Sequence, residues 1–196
     1  MSGLNTGNAK HALSDRGNDL YQSPPEAVRA LLKAEVVPTR VWEPACGPGS
    51  IVRVLRDEGH DVLATDLVDY GSPEQDASGV DFLIPGIAES QYDGDRAIIT
   101  NPPFKNANEF VERSLAFSPY VAMLLRLAFV EGVRRGNILD NGKLSRVLVF
   151  RNRLPMMHRE GWEKTVNSSA MAFAWFIWDR THRGPTELRR ISWESA

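Results

Sequence analysis

The sequence has little cysteine and little histidine, and this limits the sites that it can build. Among its 196 residues Cys46 is the only cysteine, so an internal disulfide framework is excluded. The four histidines are scattered along the chain without the spacing of a structural metal site. We therefore expect a protein of a reducing compartment, with no structural metal, whose fold depends on its hydrophobic core.

The sequence also lacks an excess of positive charge and any long apolar run. Its 23 Lys and Arg balance 25 Asp and Glu, so contact with a polyanion would require a local basic patch. No run of residues is apolar enough to span a membrane, and residues 1–18 lack the apolar core of a signal peptide. We expect a cytoplasmic protein that has no membrane partner.

Short apolar runs alternate with amphipathic helical stretches along most of the chain. The helices are predicted at Glu26–Lys33, Ile51–Glu58 and Asn108–Phe117. The strands are predicted at Arg40–Trp42, Asp61–Thr65, Val80–Ile84, Ala97–Thr100, Val121–Leu125, Arg146–Phe150 and Ala172–Trp178. Since helices separate the early strands, those strands should be parallel, whereas the last two lack a long helix between them and suit an antiparallel pair at one edge. The pattern predicts an α/β fold with a doubly wound, mostly parallel seven-stranded sheet and helices on both faces.

A glycine-containing loop follows the first predicted strand. Gly47 and Gly49 stand where the backbone must turn tightly beside a ligand before the next helix begins. Glu43, at the end of the strand, supplies a carboxylate for a positively charged part of that ligand. The alternative is an ordinary strand-to-helix turn. Val52 interrupts the glycine pattern of a dinucleotide site, and the loop lacks the length and the lysine of a P-loop.

Two further acidic residues suit the sugar and the base of a nucleotide. Asp66 follows the second predicted strand, about twenty residues after the loop, where a carboxylate can bind both ribose hydroxyls. Taken alone, Asp66 would more often cap a loop, but its position relative to Glu43 favours ribose binding. Asp81 can accept a hydrogen bond from an adenine amino group while Phe82 packs beside the base. A solvated aspartate and a core phenylalanine explain that pair equally well.

The motif Asn101-Pro102-Pro103-Phe104 follows the fourth predicted strand. Its two prolines stiffen the backbone and remove two N–H donors, which leaves a row of acceptors. An exocyclic amine on a conjugated ring is a poor nucleophile, and acceptors for its two N–H bonds return electron density to the nitrogen. We predict that the Asn101 side chain and the Pro102 carbonyl supply these acceptors and that Phe104 stacks on the ring. A turn that only terminates a strand is the alternative.

In combination, these motifs resemble those of the S-adenosylmethionine-dependent DNA N6-adenine amino-methyltransferases, including small phage-type members. The resemblance covers residues 19–178 and implies a Rossmann-like methyltransferase fold. It also implies direct methyl transfer from S-adenosylmethionine to the N6 amino group of a flipped or single-stranded adenine, with S-adenosyl-L-homocysteine as the product. Cys46 lies in the cofactor loop, so the cysteine-dependent cytosine C5 mechanism does not fit.

Larger members of that family carry a separate target-recognition domain. Only about ninety residues follow Phe104 here, and these must also complete the sheet. We therefore expect a flexible N-terminal tail at 1–18 and a single methyltransferase domain at 19–196. A monomer and a homodimer are both compatible with the sequence.

The resemblance also implies roles for particular residues. It suggests that Ser23 lines the methionine end of the cofactor, although Ser23 also suits the N-cap of the first helix, with Glu26 closing a capping box. The expected catalytic residues are Asn101, Pro102, Pro103 and Phe104. The expected cofactor-binding residues are Tyr21, Ser23, Glu43, Pro44, Ala45, Gly47, Gly49, Asp66, Leu67, Asp81, Phe82 and Asn101.

Residues 134–164 form a local basic segment, with eight Lys or Arg against three acids. Cations in such a segment contact phosphates, and the interleaved larger side chains wedge or stack bases. The residues predicted to bind the substrate are Arg151, Arg153, His158, Arg159 and Trp162. A solvated loop is the alternative. The aromatic residues within Ala172–Trp178 are instead predicted to pack in an edge strand.

Other planar nitrogens could accept the methyl group at such a site. The alternatives are adenine in RNA, cytosine N4 and a protein glutamine amide. An Asn-Pro-Pro rather than a Ser-Pro-Pro motif favours adenine over cytosine, and the basic segment favours nucleic acid, with DNA preferred to RNA. A non-catalytic nucleic-acid-binding module of the same fold is a further alternative, but the presence of Asn101 and Asp66 counts against it.

Overall fold

The computed structural model describes residues 21–155 and 171–194, and their centre is one seven-stranded sheet. The strands are β1 (Arg40–Glu43), β2 (Asp61–Ala64), β3 (Ala97–Thr100), β4 (Tyr120–Arg126), β5 (Leu144–Phe150), β6 (Phe173–Asp179) and β7 (Glu187–Ile191). Their order across the sheet is β2-β1-β3-β4-β6-β5-β7. Strand β6 runs antiparallel to both of its neighbours, and all other pairs are parallel. The predicted α/β fold, with its mostly parallel sheet and antiparallel pair, is confirmed, whereas the tail predicted at 1–18 lies outside the described residues.

Helices cover both faces of the sheet, as predicted. They are α1 (Pro25–Ala34), α2 (Ser50–Asp57), α3 (Ile87–Gln91), α4 (Ala107–Phe117) and α5 (Gly136–Leu139). On one face, Leu31 of α1 and Leu55 of α2 are buried in the core beneath those helices. On the other face, Phe110 of α4 and Ile138 of α5 belong to a second core cluster. Among the helices of the described ranges, none combines the length and apolarity needed to cross a membrane.

The first helix begins one residue later than the predicted N-cap at Ser23 implies. Pro24 occupies the N-cap position in an extended conformation, and Pro25 is the first helical residue. A proline disfavours the helical conformation in the residue before it, so Pro24 cannot itself begin the helix. Ser23 therefore lies before the helix, and no side chain caps this helix end.

The predicted strand at Val80–Ile84 is absent from the sheet. The sheet still has seven strands because it contains β7, which was not predicted. Val80–Ile84 forms a turn, in which the Asp81 carboxylate accepts a 2.9 Å hydrogen bond from the Leu83 N–H. Val80 and Phe82 are buried in this turn, whereas Ile84 is exposed. The Phe82 ring packs against Trp42 and Phe110, with ring centroids 5.3 and 5.0 Å apart. The seventh strand is β7, which pairs with β5. Four of its five residues are exposed, so β7 carries no apolar alternation that the sequence could reveal.

The aromatic residues of β6 belong to the core, as predicted. Phe173, Trp175, Phe176 and Trp178 are all buried. The two indole N–H groups donate to backbone carbonyls of helices on opposite faces, Trp175 to Ala27 at 2.9 Å and Trp178 to Ile138 at 2.7 Å. Strand β6 is an interior strand rather than an edge, so these rings hold the layers together and are not available to a substrate.

Strands β1 and β3 lie side by side, although β2 intervenes along the chain. The connections after them leave in opposite directions across the sheet, which makes the space beyond their carboxyl ends a topological switch point. Glu43 ends β1, and Asn101 follows β3 directly. The fold therefore brings the glycine-containing loop and the Asn-Pro-Pro-Phe motif to one crevice.

Candidate active site

A cavity of about 490 Å³ opens beyond the carboxyl ends of β1 and β3. That volume lies within the range of pockets that hold small molecules, about 300–1,000 Å³. The four predicted catalytic residues line the cavity, as do all the predicted cofactor-binding residues except Gly49. Residues from five separate stretches of the chain thus converge on one site, and among the described residues no group of three or more potential metal ligands accompanies them.

Gly49 shapes the loop without lining the cavity. Its φ of 87° lies in the left-handed region that favours glycine. A β-carbon at this position would overlap the side chain of Glu74, which packs against the loop from the segment after β2. In the same contact, the Ser72 hydroxyl donates a 2.9 Å hydrogen bond to the Pro48 carbonyl. The close approach of these two segments requires glycine here.

The ends of β1 and β2 are connected by hydrogen bonds that fix the base of the site. The Trp42 indole N–H donates to the Thr65 hydroxyl at 2.9 Å, and the Thr65 N–H donates to the Glu43 carbonyl at 2.9 Å. The Cys46 N–H then donates to the Thr65 carbonyl at 3.0 Å. The glycine-containing loop is thereby held against the residue that precedes Asp66.

The Asp66 carboxylate is held between two loops and is only 8% exposed. One oxygen accepts from the Gly47 N–H and the other from the Val68 N–H, both at 2.9 Å. Burial raises the pKa of Asp66, although these backbone N–H groups oppose that rise. Each carboxylate oxygen keeps a lone pair that a hydroxyl group in the cavity can use.

Glu43 is the most deeply buried acid of the cavity, at 1% exposed. Among the described residues its Oε2 atom has no hydrogen-bond partner. Burial, and then the neighbouring negative charge of Asp66, raise the pKa of Glu43 well above its ordinary value. A buried carboxyl of this kind is stabilised when a positively charged group approaches it.

Cys46 lines the cavity as a free thiol and is not set up as a nucleophile. Burial, followed by the negative charges of Glu43 and Asp66, raises the pKa of Cys46. The nucleophilic form of cysteine is the thiolate, which this environment disfavours. The site is therefore unlike that of an enzyme that attacks its substrate through cysteine.

Only one of the two polar atoms of the Asn101 side-chain amide has a hydrogen-bond partner among the described residues. Its Nδ2 amide donates a 2.8 Å hydrogen bond to the backbone carbonyl of Tyr21. Its Oδ1 atom is buried and has no hydrogen-bond partner among the described residues. Because the amide nitrogen is committed to Tyr21, the orientation of the group is set, and its oxygen is left as an acceptor for a ligand.

The Phe104 ring lies between other side chains. Its centroid is 4.6 Å from that of Tyr21 and 5.8 Å from that of Phe173. The guanidinium carbon of Arg126, at the end of β4, lies 4.2 Å from the same centroid. Arg126 is exposed, so its charged group covers Phe104 from the solvent side. A base that stacks on this ring would meet Arg126 first.

The predicted substrate residues that the structure describes lie outside the cavity. Arg151 and Arg153 are exposed and follow β5, whose carboxyl end reaches the same edge of the sheet as the end of β4. They therefore share an edge with Arg126 and with the Asn-Pro-Pro-Phe motif. His158, Arg159 and Trp162 lie outside the described residues.

The sequence did not identify every residue of the cavity. The further lining residues are Gln22, Cys46, Pro48, Ser50, Ile51, Val68, Tyr70, Val80, Leu83, Lys105, Asn106 and Phe110. Lys105 directly follows the Asn-Pro-Pro-Phe motif and could have been added by adjacency. Gln22 lies between the predicted Tyr21 and Ser23, so adjacency could also have added it. Its 3.2 Å hydrogen bond from the Ser50 hydroxyl, by contrast, is a contact that only the fold creates.

Several solved methyltransferase structures share this fold. The type I restriction-modification methyltransferase subunit from Streptococcus thermophilus is 13% identical, with a TM-score of 0.63 over 88% of this chain and 47% of that chain. A modification subunit assigned to a type I restriction enzyme of Vibrio vulnificus YJ016 is 14% identical, with a TM-score of 0.62 over 87% and 47%. A Pyrococcus horikoshii protein assigned as an RNA methyltransferase is 14% identical, with a TM-score of 0.59 over 87% and 91%.

These likenesses establish the architecture of the chain as a Rossmann-like methyltransferase fold. The chain spans about half the length of the two type I subunits. No protein-family model and no curated protein sequence matches it. At these identities the shared property is the fold, and function must be argued from the site itself.

Proposed function

We propose that this chain transfers a methyl group from S-adenosylmethionine to the N6 amino group of adenine in DNA. The observation that carries the proposal is the orientation of Asn101, whose amide nitrogen is bound to Tyr21 while its buried oxygen is left without a partner. A buried acceptor without a partner costs about 1–3 kcal/mol. An amine donor in the cavity would remove that cost, and it is the group that this chemistry requires.

The residues of the cavity fit S-adenosylmethionine. Asp66 offers carboxylate oxygens for the ribose hydroxyls, and Asp81 and Phe82 border the space for the adenine ring. Glu43, a buried carboxyl with an unpartnered oxygen, would face the positively charged methionine end, with Ser23 close to it. When bound, S-adenosylmethionine supplies an electrophilic methyl group and leaves as S-adenosyl-L-homocysteine. The methyltransferase names of the neighbouring structures support the same cofactor.

The catalytic motif activates the amine by accepting hydrogen bonds. The Asn101 side-chain oxygen and the Pro102 carbonyl would accept hydrogen bonds from the two N–H groups, which draws the lone pair of the amino nitrogen back from the ring. The nitrogen then forms a bond to the methyl group as the bond from that methyl group to sulfur breaks, and one proton of the amine is released to solvent. Because Pro102 and Pro103 restrict the backbone, these acceptors are held in place before the substrate arrives. Phe104 supplies the surface on which the target ring stacks once Arg126 moves aside.

A nucleic-acid substrate is supported by the charge at this edge of the sheet. Arg126, Arg151 and Arg153 are all exposed there, where they can contact phosphates. The preference for DNA rests on the resemblance of the motifs and on the names of the type I restriction-modification neighbours. A base inside a duplex cannot reach such a cavity, so a duplex substrate must present the adenine flipped out of the helix.

The direct test is a transfer assay with the purified chain and S-adenosylmethionine labelled in its methyl group. Genomic DNA, total RNA and a protein mixture are offered in parallel, and the products are separated by nucleoside and amino-acid analysis. We expect N6-methyladenine in DNA. Label in RNA alone, in cytosine or in glutamine would overturn the substrate assignment. If the chain bound the cofactor but transferred label to none of the three substrates, it would be a binding module rather than an enzyme.

A further inference from the structure

The wall of the cavity formed by residues 80–84 is not part of the sheet. Asp81, Phe82 and Leu83 line the cavity from this wall. Within the wall, hydrogen bonds are local, from the Leu83 and Ile84 N–H groups to Asp81. Its backbone bond to the rest of the site runs from the Val80 N–H to the Asp66 carbonyl, at 3.0 Å. A segment without ladder hydrogen bonds must be positioned by side chains.

Arg113 of α4 makes most of the polar contacts to that segment. Its Nε atom donates to the Phe82 carbonyl at 2.6 Å, and its Nη2 atom donates to the Ile84 carbonyl at 3.2 Å. The same Nη2 atom lies 2.8 Å from each carboxylate oxygen of Glu89 in α3. One guanidinium thus connects two carbonyls of the wall and the following helix to α4.

The Arg113 side chain is only 17% exposed, and its guanidinium carbon lies 5.1 Å from the centre of the Phe117 ring. Its bond to the Phe82 carbonyl is partly buried, whereas its contacts with Ile84 and Glu89 are exposed to solvent. Because charge-assisted hydrogen bonds are stronger when shielded from water, the bond to Phe82 should contribute most to holding the wall. Phe82 anchors the wall from the opposite side, because its ring is 2% exposed and packs against Trp42 and Phe110.

We propose that Arg113 is a positioning residue that holds the adenosine-facing wall of the cofactor site. The inference rests on the proposed function, since it takes S-adenosylmethionine as the ligand. Arg113 itself does not line the cavity, so it acts through the backbone of Phe82 and Ile84. In the part of the chain that the structure describes, its hydrogen bonds and ring contact are with Phe82, Ile84, Glu89 and Phe117, and none is with the Asn-Pro-Pro-Phe motif. It should therefore affect the affinity for the adenosine part of the cofactor and leave the transfer step intact.

The first test is calorimetric titration of the full chain with S-adenosylmethionine and, separately, with adenosine. Arg113→Ala should raise Kd for both ligands by the same factor, about ten-fold for the loss of several charge-assisted bonds. Arg113→Lys should be intermediate, because an ammonium cannot form the same fork of contacts. At saturating cofactor kcat should be unchanged. An unchanged Kd, or a reduced kcat with an unchanged Kd, would overturn the inference.

The matched control is Arg180→Ala. Arg180 also donates from one guanidinium nitrogen to two carbonyls at the C-terminal end of α4, those of Leu115 and Ser118, but it does not line the cavity. A general loss of stability would affect both variants, and thermal unfolding measures it. Glu89→Gln keeps Arg113 but weakens one of its contacts, so it should raise Kd less than Arg113→Ala does. This variant replaces Arg113→Ala in the test if Arg113→Ala does not fold.

Hydrogen exchange separates the failure of this inference from the failure of the proposed function. Amides of residues 80–90 should exchange faster in Arg113→Ala than in Arg180→Ala, while amides of the loop at 44–49 should not. This readout requires no ligand. If the parent chain bound neither S-adenosylmethionine nor adenosine, the proposed function would fail, and exchange would still decide whether Arg113 holds the wall. Equal exchange in both variants would overturn the positioning role.

Discussion

The side-chain amide of Asn101 is hydrogen-bonded to the backbone carbonyl of Tyr21, 80 residues earlier in the chain, at 2.8 Å. The same two segments are connected a second time, because the Tyr21 ring lies against Phe104 in the motif that Asn101 begins. The segment before α1 is thereby fixed to the loop of the Asn-Pro-Pro-Phe motif. The consequence is chemical, since a rotated amide would present a donor where the substrate amine needs an acceptor.

Asn101→Ala should abolish methyl transfer and leave cofactor affinity nearly unchanged. Removing one preorganised group that acts mainly in the transition state costs about 10²–10³ in kcat. The measurement is single-turnover transfer together with calorimetric titration of the cofactor. Asn141→Ala, in an exposed turn, is the control. Retained turnover in Asn101→Ala would refute the role given to this residue.

Asp66→Ala should weaken cofactor binding by about 1–3 kcal/mol, the value expected for lost buried hydrogen bonds. The same variant loses the acceptors for the Gly47 and Val68 N–H groups, so Asp66→Asn, which retains one oxygen, should lose less. Calorimetry measures both. Asp69→Ala, whose carboxylate only accepts from the Gly71 N–H in an exposed turn, should bind normally. Equal affinity in Asp66→Ala and Asp69→Ala would contradict ribose binding.

Glu43→Gln should stabilise the free protein at high pH and weaken its affinity for the cofactor. The pKa of Glu43 is raised in the folded state, so its contribution to stability is present below the ordinary pKa of glutamate and is lost as the pH rises through the raised value. Thermal unfolding should therefore match the parent at about pH 4 and exceed it at about pH 8. Glu58→Gln, at an exposed position, controls for the lost charge. A variant less stable than the parent at the higher pH would show that this carboxyl is not destabilised by burial.

Arg126→Ala should reduce the salt dependence of DNA binding. Each phosphate contact adds about 0.9 to the slope of log K against log salt for duplex DNA, so one lost contact lowers the slope by about that amount. Fluorescence anisotropy at several salt concentrations gives the slopes. Arg183→Ala is the control, because Arg183 is equally exposed but follows β6, which ends at the opposite edge of the sheet. Identical slopes for the two variants would place the DNA elsewhere.

The parts of the site that could be predicted are those set by the order of strands and loops along the chain. Glu43, Asp66 and Asn101 each follow an apolar run that forms a buried strand, and parallel strands bring such residues to one edge. Local sequence was sufficient to predict these three residues because each one is recognised by its position at the end of an apolar run. The cavity confirms that these three residues converge.

Other features depended on contacts that no local pattern encodes. Val80–Ile84 is apolar because Phe82 fills a gap between Trp42 and α4, and burial alone does not distinguish such a turn from a strand. Strand β7 could not be predicted for the opposite reason. It pairs with β5 through its backbone, but most of its side chains are exposed, so it has no apolar pattern. The Asn101–Tyr21 bond joins residues too distant in the chain for any spacing rule to reveal.

The interior position of β6 also dictates the order in which the protein can assemble. Strands β1 to β4 form a continuous parallel set that can pair as soon as residue 126 has been synthesised. Strand β5 is made next but reaches that set only through β6, so it must wait without its neighbour until residues 173–179 emerge. The parallel set whose ends carry Glu43 and Asn101 is therefore the first that can pair, and β6, β5 and β7 join it later.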